Sequence, residues 1–336
     1  MKKLISLLLA LSLCFALVAC GAAPQTPATT EAATIQTTAP EAAEPDITEP
    51  IEPQVGEATP LLYRVTDGEG HIAWLFGSIH VGRENYYPLP TYVTDAFAGA
   101  DALAVELDIL AFERSLSLQM EALMPLVYRD GTTIKDHISE ELYAEAVAAL
   151  QTLGSYAATL DMYCPAFWSS AIESLMVEKM DAKVNLGIDR HLLKLAQDQE
   201  KQILEIESGK AQYEMLAGFS DELQSWLLEE ALQILEAPDL AKQDLENLMD
   251  LWAAGDEAAF AEYLTAEDDS APAQLLAEYN QAMIIDRNLL MTNYAEAALQ
   301  SGQTVFICVG AAHVVGEGAM AQLLAQRGYT VEPVSP

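Results

Sequence analysis

"AWLFGSIH" (residues 73–80) and "VFICVGAAH" (residues 305–313) are two versions of one local pattern: an apolar run, a glycine, two further residues, then a histidine. An uncharged apolar run of this length, closed by glycine, reads as a strand buried on both faces of a sheet. Gly77 and Gly310 let the backbone turn sharply or approach another group closely. His80 and His313 then fall just past the carboxyl ends of their strands, the edge at which open α/β sheets bind ligands. Either histidine alone would be read as a hydrogen-bonded structural residue. The chain has five histidines, and two of them in the same context, near opposite ends of the sequence, point to two corners meeting at one site.

Working outward, "LLYRVTDGEGHIAWLFGS" (61–78) reads as a hairpin turning at Asp67–Gly70. Further strands are expected at 100–108, 201–208, 304–310 and 329–334. Helical periodicity covers 91–99, 110–124, 139–152, 166–182, 188–199, 209–217, 221–235, 239–254, 256–264 and 272–301, with a last helix at 317–327 closed by Gly328. Strands at both ends and helices between them give the fold class: α/β, a mixed central sheet with two related Gly-x-x-His corners and a large helical middle segment over about 110–300.

The ends of the expected strands deliver more than imidazoles. Glu106 follows "ALAV" and Glu205 follows "QIL". Two histidines with one or two carboxylates are a donor set for a first-row divalent ion, zinc with an open position or Mn, Fe or Co. A second carboxylate would serve as general base. Arg287 lies in an apolar helical pattern, where an unpaired guanidinium is costly. It is expected to pair with one of the carboxylates or to stabilise a developing oxyanion. His71, His137 and His191 fall in turn, loop and helix-start contexts. Asp189, at the start of the helical pattern "IDRHLLKLA", is in a position that aspartate ordinarily fills as a cap.

The amino end has another character. "MKKLISLLLALSLCFALVAC" (1–20) is a secretory leader: two lysines, an apolar stretch too short to span a bilayer, then small residues before Cys20. Leu17-Val18-Ala19-Cys20 resembles a bacterial lipobox, which implies cleavage after residue 19, lipidation of Cys20, and an envelope protein anchored on the extracytoplasmic face. Residues 20–58, rich in Ala, Thr, Pro and Glu, cannot bury enough surface to offset their ordering entropy and are expected to be a tether. The folded domain is expected over 59–336. Formal charge is −35, and removing Lys2 and Lys3 with the leader takes it to −37. So acidic a chain has no basic surface for nucleic acid and none for anionic lipid, leaving the acyl chain as the membrane contact. Cys164 and Cys308 do not form a disulfide framework, and Cys308, inside an apolar run, is expected to be a buried thiol.

Taken in order, "LFGSIHVGRENYYPLP", "ALAVELD", "NLGIDRHLLKLA", "KQILEIE", "DRNLLM" and "VFICVGAAHVVGEGAMAQLLAQRGYTVEPV" resemble the TraB/PrgY/GumN family, whose relatives include the Tiki-type membrane-tethered metalloproteases. The resemblance covers about 60–334. It implies an erythromycin-esterase/ChaN-like core. It also implies that the family's paired histidines fall on His80 and His313, its strand-end acid on Glu106, its middle-strand "LE" on Glu205, its arginine on Arg287 and its "GID" aspartate on Asp189. The activity it implies is a metal-dependent peptidase (Mn, Co or Zn) acting on exported peptides or proteins. The alternative is a lipoprotein that binds a secreted peptide or metal without turnover.

Overall fold

The computed structural model describes residues 56–180, 182–265 and 272–335. The leader, Cys20 and most of the tether lie outside the described residues. The folded body begins slightly before Thr59: Gly56 N donates to Pro88 O and Glu57 N to Asn85 O, and Ala58 is buried.

Six strands form one mixed sheet: β1 Leu62–Thr66, β2 Ile72–Ser78, β3 Ala102–Val105, β4 Gln202–Glu205, β5 Val305–Gly310 and β6 Thr330–Val334, in the order β4-β3-β5-β2-β1-β6. The hairpin forms as expected, with Tyr63 opposite Leu75. Asp67 shapes its turn by accepting the backbone N–H of Glu69 and of His71, both at 2.9 Å. The four strands β4, β3, β5 and β2 run parallel, and β1 and β6 close one side antiparallel. The uncharged runs occupy the parallel centre, where Leu75, Phe76, Ala102–Val105 and Val305–Val309 are buried. β4 and β6 are the edges. β6 carries Pro333, a residue compatible with an edge because it has no N–H to donate.

The helices are α1 Thr91–Gly99, α2 Ile109–Arg114, α3 Leu116–Leu123, α4 Glu140–Thr152, α5 Pro165–Lys179, α6 Ile188–Asp198, α7 Gly209–Ala217, α8 Asp221–Glu236, α9 Pro238–Ala254, α10 Glu257–Leu264, α11 Ala273–Asn280, α12 Asp286–Ser301, α13 Ala311–Val314 and α14 Met320–Gln326. The expected helix at 110–124 is two, because Ser115 leaves helical geometry and caps α3 through Leu118 N. The long helical pattern at 272–301 is also divided. Between α11 and α12 the chain makes a π-turn over Gln281–Ile285. α12 then ends at Gly302 in the left-handed region, φ 75°. The middle segment is not wholly helical, since β4 returns from it to the sheet.

This topology sends four chain segments out of one sheet edge. The parallel strands β2, β3, β4 and β5 all end there, so residues just past 78, 105, 205 and 310 share a neighbourhood although they are scattered through the sequence.

Candidate active site

The two Gly-x-x-His corners are side by side. In the parallel pairing of β2 with β5, Gly77 lies opposite Val309 and Ser78 opposite Gly310. The motifs therefore leave the sheet one residue out of step. The glycines are needed for the close approach. A Cβ on Gly77 would stand 2.8 Å from Ala311 Cα, and one on Gly310 would be 3.3 Å from Glu106 Oε1 and 3.6 Å from His313 Cδ2. The corner after β2 is held from outside by Trp252, whose Nε1 donates to Gly77 O at 2.8 Å.

His80 is met by the start of α6. Ile188 N donates to Ile79 O at 3.0 Å, and a Cβ on Gly187 would stand 2.6 Å from His80 O, so only glycine lets the helix dock here. Docking brings Asp189 Oδ1 to 3.1 Å from His80 Nδ1. Asp189 makes no capping bond within α6; its carboxylate faces the His80 ring instead. Burial disfavours the imidazolium of His80, but Asp189 and then Glu106 outweigh it and the pKa is raised.

His313 is shifted in the opposite direction. It is 2% exposed, and its Nδ1 lies 2.7 Å from Asn288 Oδ1. Asn288 Nδ2 donates to Gly318 O at 2.9 Å, which fixes the amide with its oxygen toward the ring. His313 is thus the Nδ1–H tautomer, leaving the lone pair on Nε2. Burial, then the Arg287 charge, lowers its pKa to about 3.

Glu106 and Arg287 join the corners. Glu106 Oε1 accepts Gly310 N at 2.6 Å and Oε2 accepts Arg287 Nη2 at 2.5 Å. Arg287 is also gripped by Glu207, through Nε to Oε1 at 2.8 Å and Nη2 to Oε2 at 2.9 Å. Burial acts against the charge of each partner. Arg287, His313, His80 and the Gly310 N–H nonetheless hold Glu106 at about 2, and Glu106 and Glu207 push the guanidinium up.

The structure places Glu205 elsewhere. Its side chain is exposed and Oε1 accepts Asp108 N at 2.9 Å. The carboxylate that reaches Arg287 is Glu207, because the chain past β4 continues to bond its neighbour: Ile206 N donates to Val105 O and Glu207 N to Glu106 O. Glu207, Asn288 and Gln212 are the site residues that reading the sequence missed. Asn288 adjoins Arg287, and Glu207 lies two residues past Glu205.

The remaining histidines are apart from this cluster. His71 Nδ1 contacts Asp67 at 2.8 Å, His137 stacks on Tyr128 at 4.1 Å, and His191 lies against Tyr87 at 4.3 Å. Cys164 and Cys308 are both buried free thiols. Cys308 and Ser78 join His80, Glu106, Asp189 and Gln212 in lining a small cavity of about 30 Å³, room for one water-sized ligand.

For a divalent ion the donor chemistry fits in part. Each strand-end histidine has its Nδ1 engaged by a side-chain oxygen, the arrangement that presents Nε2 to a metal. Asp189, the partner of His80, lines the same cavity. Among the described residues, however, no three His, Cys, Asp or Glu side chains are gathered as a ligand set.

The model of the TraB/PrgY/gumN family matches residues 61–333. The uncharacterized protein YbaP of Escherichia coli (strain K12) is 26% identical over 260 residues, which cover 74% of this chain and 86% of that protein. A protein of the same name from Shigella flexneri matches to the same extent. No solved structure matches this chain.

Proposed function

The chain belongs to the TraB/PrgY/gumN family, and on that premise we propose that it is a metal-dependent hydrolase, a peptidase of exported peptides or proteins, held by a lipid on Cys20 at the extracytoplasmic face of the membrane. The observation that carries the reading is the convergence of two tied imidazoles, His80 and His313, on the buried Glu106–Arg287–Glu207 cluster at the carboxyl edge of the parallel strands.

His80 and His313 would hold the ion, with Glu106 completing the set. When bound, a divalent ion polarises a carbonyl and lowers the pKa of a water. The residues of the chain supply the rest. Asn288 keeps the lone pair of His313 on Nε2. Asp189 orients His80, and its carboxylate is the group at the cavity able to take a proton. Arg287, fixed by two carboxylates, is a preorganised positive charge for a developing oxyanion.

One observation favours a second reading. Both oxygens of Glu106 are already committed, to Gly310 and to Arg287, as in a binding protein whose ion pair is structural. Metal analysis of the purified chain, with cleavage of a peptide library under Mn, Co and Zn, separates the two. A hydrolase retains metal and cleaves, and His80→Ala or His313→Ala abolishes cleavage while the fold persists. Cleavage undiminished in both variants would sink the assignment. The anchor is tested separately: Cys20→Ser should release the protein from membranes, and a variant that stays in the membrane fraction rejects lipidation as the anchor.

Among the described residues no helix is long and apolar enough to cross a membrane.

A further inference from the structure

A second cavity, about 440 Å³, lies on the far side of the Arg287–Glu207 pair, between α7 and the π-turn leading into α12. Ile206, Ala211, Met215, Ala282 and Leu290 give it apolar walls, and Asp286 is its other carboxylate besides Glu207. Its volume is that of a pocket for a side chain or small ligand. Beside it the apolar surface continues outward, since Ile285, Leu289 and Leu290 are 40–46% exposed.

Gln212 is the partition. It lines both this groove and the small cavity beside His80 and Asp189. It is 4% exposed, and its Nε2 donates to Glu207 Oε2 at 2.8 Å. A carboxylate only accepts, so this bond fixes the amide and leaves Oε1 as an acceptor. That oxygen has no partner. A buried carbonyl without a donor is uncommon in folded proteins and leaves an acceptor open to one more hydrogen bond. The π-turn widens the helix at the same place, a feature frequent at functional sites.

We propose that this groove is the side-chain subsite of a peptide-binding cleft: it takes an apolar residue the size of Leu, Met or Phe, and Gln212 Oε1 accepts that residue's backbone N–H. An extended peptide supplies both the missing donor and the apolar group. Gln212 lines both cavities, so a peptide held on its Oε1 would lie next to the candidate active site. The choice of a peptide rests on the hydrolase reading, but binding in the groove does not require turnover.

The test uses the full chain and blocked fluorogenic pentapeptides varied at one position through Gly, Leu, Met, Phe, Asp and Lys. Binding is followed by anisotropy and cleavage by fluorescence, with Mn, Co or Zn present. Leu, Met and Phe peptides should bind about tenfold tighter than the Gly peptide, the scale of one buried apolar side chain. Ala211→Trp, on an exposed helix surface, should fill the groove and remove that preference while the circular dichroism spectrum stays that of the wild type. N-methylation of the apolar residue should cost about tenfold in the wild type and little in Gln212→Met, because the variant has no acceptor to lose. Apolar peptides bound with this preference but never cleaved would overturn the hydrolase reading and leave the subsite standing. Cleavage with no preference, or with one that Ala211→Trp leaves intact, would overturn the subsite alone. Peptides neither bound nor cleaved would overturn both.

Discussion

Asp189 Oδ1 stands 3.1 Å from His80 Nδ1, and this contact moves the proton affinity of His80 in the direction opposite to that of His313. Burial alone would lower both. Asp189 and Glu106 reverse the sign at His80, whereas Arg287 adds to it at His313. In Asp189→Asn the titration point of His80 should fall below that of the wild type, and His313 should stay neutral to about pH 3 in both. Side-chain NMR of the five histidines reads this directly, and an unmoved His80 would refute the assignment. The linkage has a definite sign. A raised folded pKa means that the pair's stabilisation is fully present below the unfolded value of 6.5 and is lost as pH rises through the folded one. Asp189→Asn should therefore cost more stability at about pH 5.5 than at about pH 9.

Arg287 neutralises two buried carboxylates at once. The three side chains are each under one-tenth exposed. Removing the guanidinium leaves both acids charged or forces them to take protons, and Arg287→Ala should cost about 3–5 kcal/mol in urea unfolding. Arg287→Lys should recover only part, since an ammonium cannot make the two-pronged bond to Glu207. Glu207→Gln combined with Arg287→Ala should cost less than the two single losses added together. Strict additivity would mean that the two side chains do not interact. Acid acts on the same cluster: Glu106, held at about 2, contributes stability above pH 4.5 that is lost as pH falls from there toward 2.

The parallel centre of the sheet was legible because Val305–Val309 and Leu75–Phe76 are uninterrupted apolar runs, and both strand-end histidines followed from it. Glu207 was not legible. A period of two puts Glu205 and Glu207 on the same side of a strand, and nothing in "ILEIES" says that backbone pairing to Glu106 continues past the strand's end. Nor was the π-turn. One wide turn inside a 3.6-residue pattern resets its phase, so buried Arg287 and Asn288 face inward while Ile285, Leu289 and Leu290 are turned to solvent. An inward arginine and outward leucines contradict simple amphipathic reading, and here that inversion coincides with the candidate site.

The two motif glycines should differ when substituted. A methyl on Gly77 meets Ala311 backbone at 2.8 Å, inside van der Waals contact and with nowhere to yield. Gly77→Ala should cost about 1–3 kcal/mol, as overpacking does elsewhere. A methyl on Gly310 faces the Glu106 carboxylate at 3.3 Å, a tight contact relieved by a small shift of that side chain. Gly310→Ala should be milder in stability but should move the NMR signals of His313. Equal destabilisation by both would show that the corners are not packed as described.

Glu173, on α5, offers a test away from the site. It is 4% exposed, its Oε2 has no hydrogen-bond partner, and burial pushes its pKa well above the usual 4.5. A carboxyl whose pKa is raised in the folded state favours folding fully below its unfolded pKa, and that contribution disappears as pH climbs through the folded value. Glu173→Gln keeps the shape and removes the titration. The variant and the wild type should thus have similar melting temperatures near pH 4.5. By about pH 8 the variant should be the more stable of the two. A wild type as stable as the variant across this range would show that the carboxyl finds water or a cation in solution.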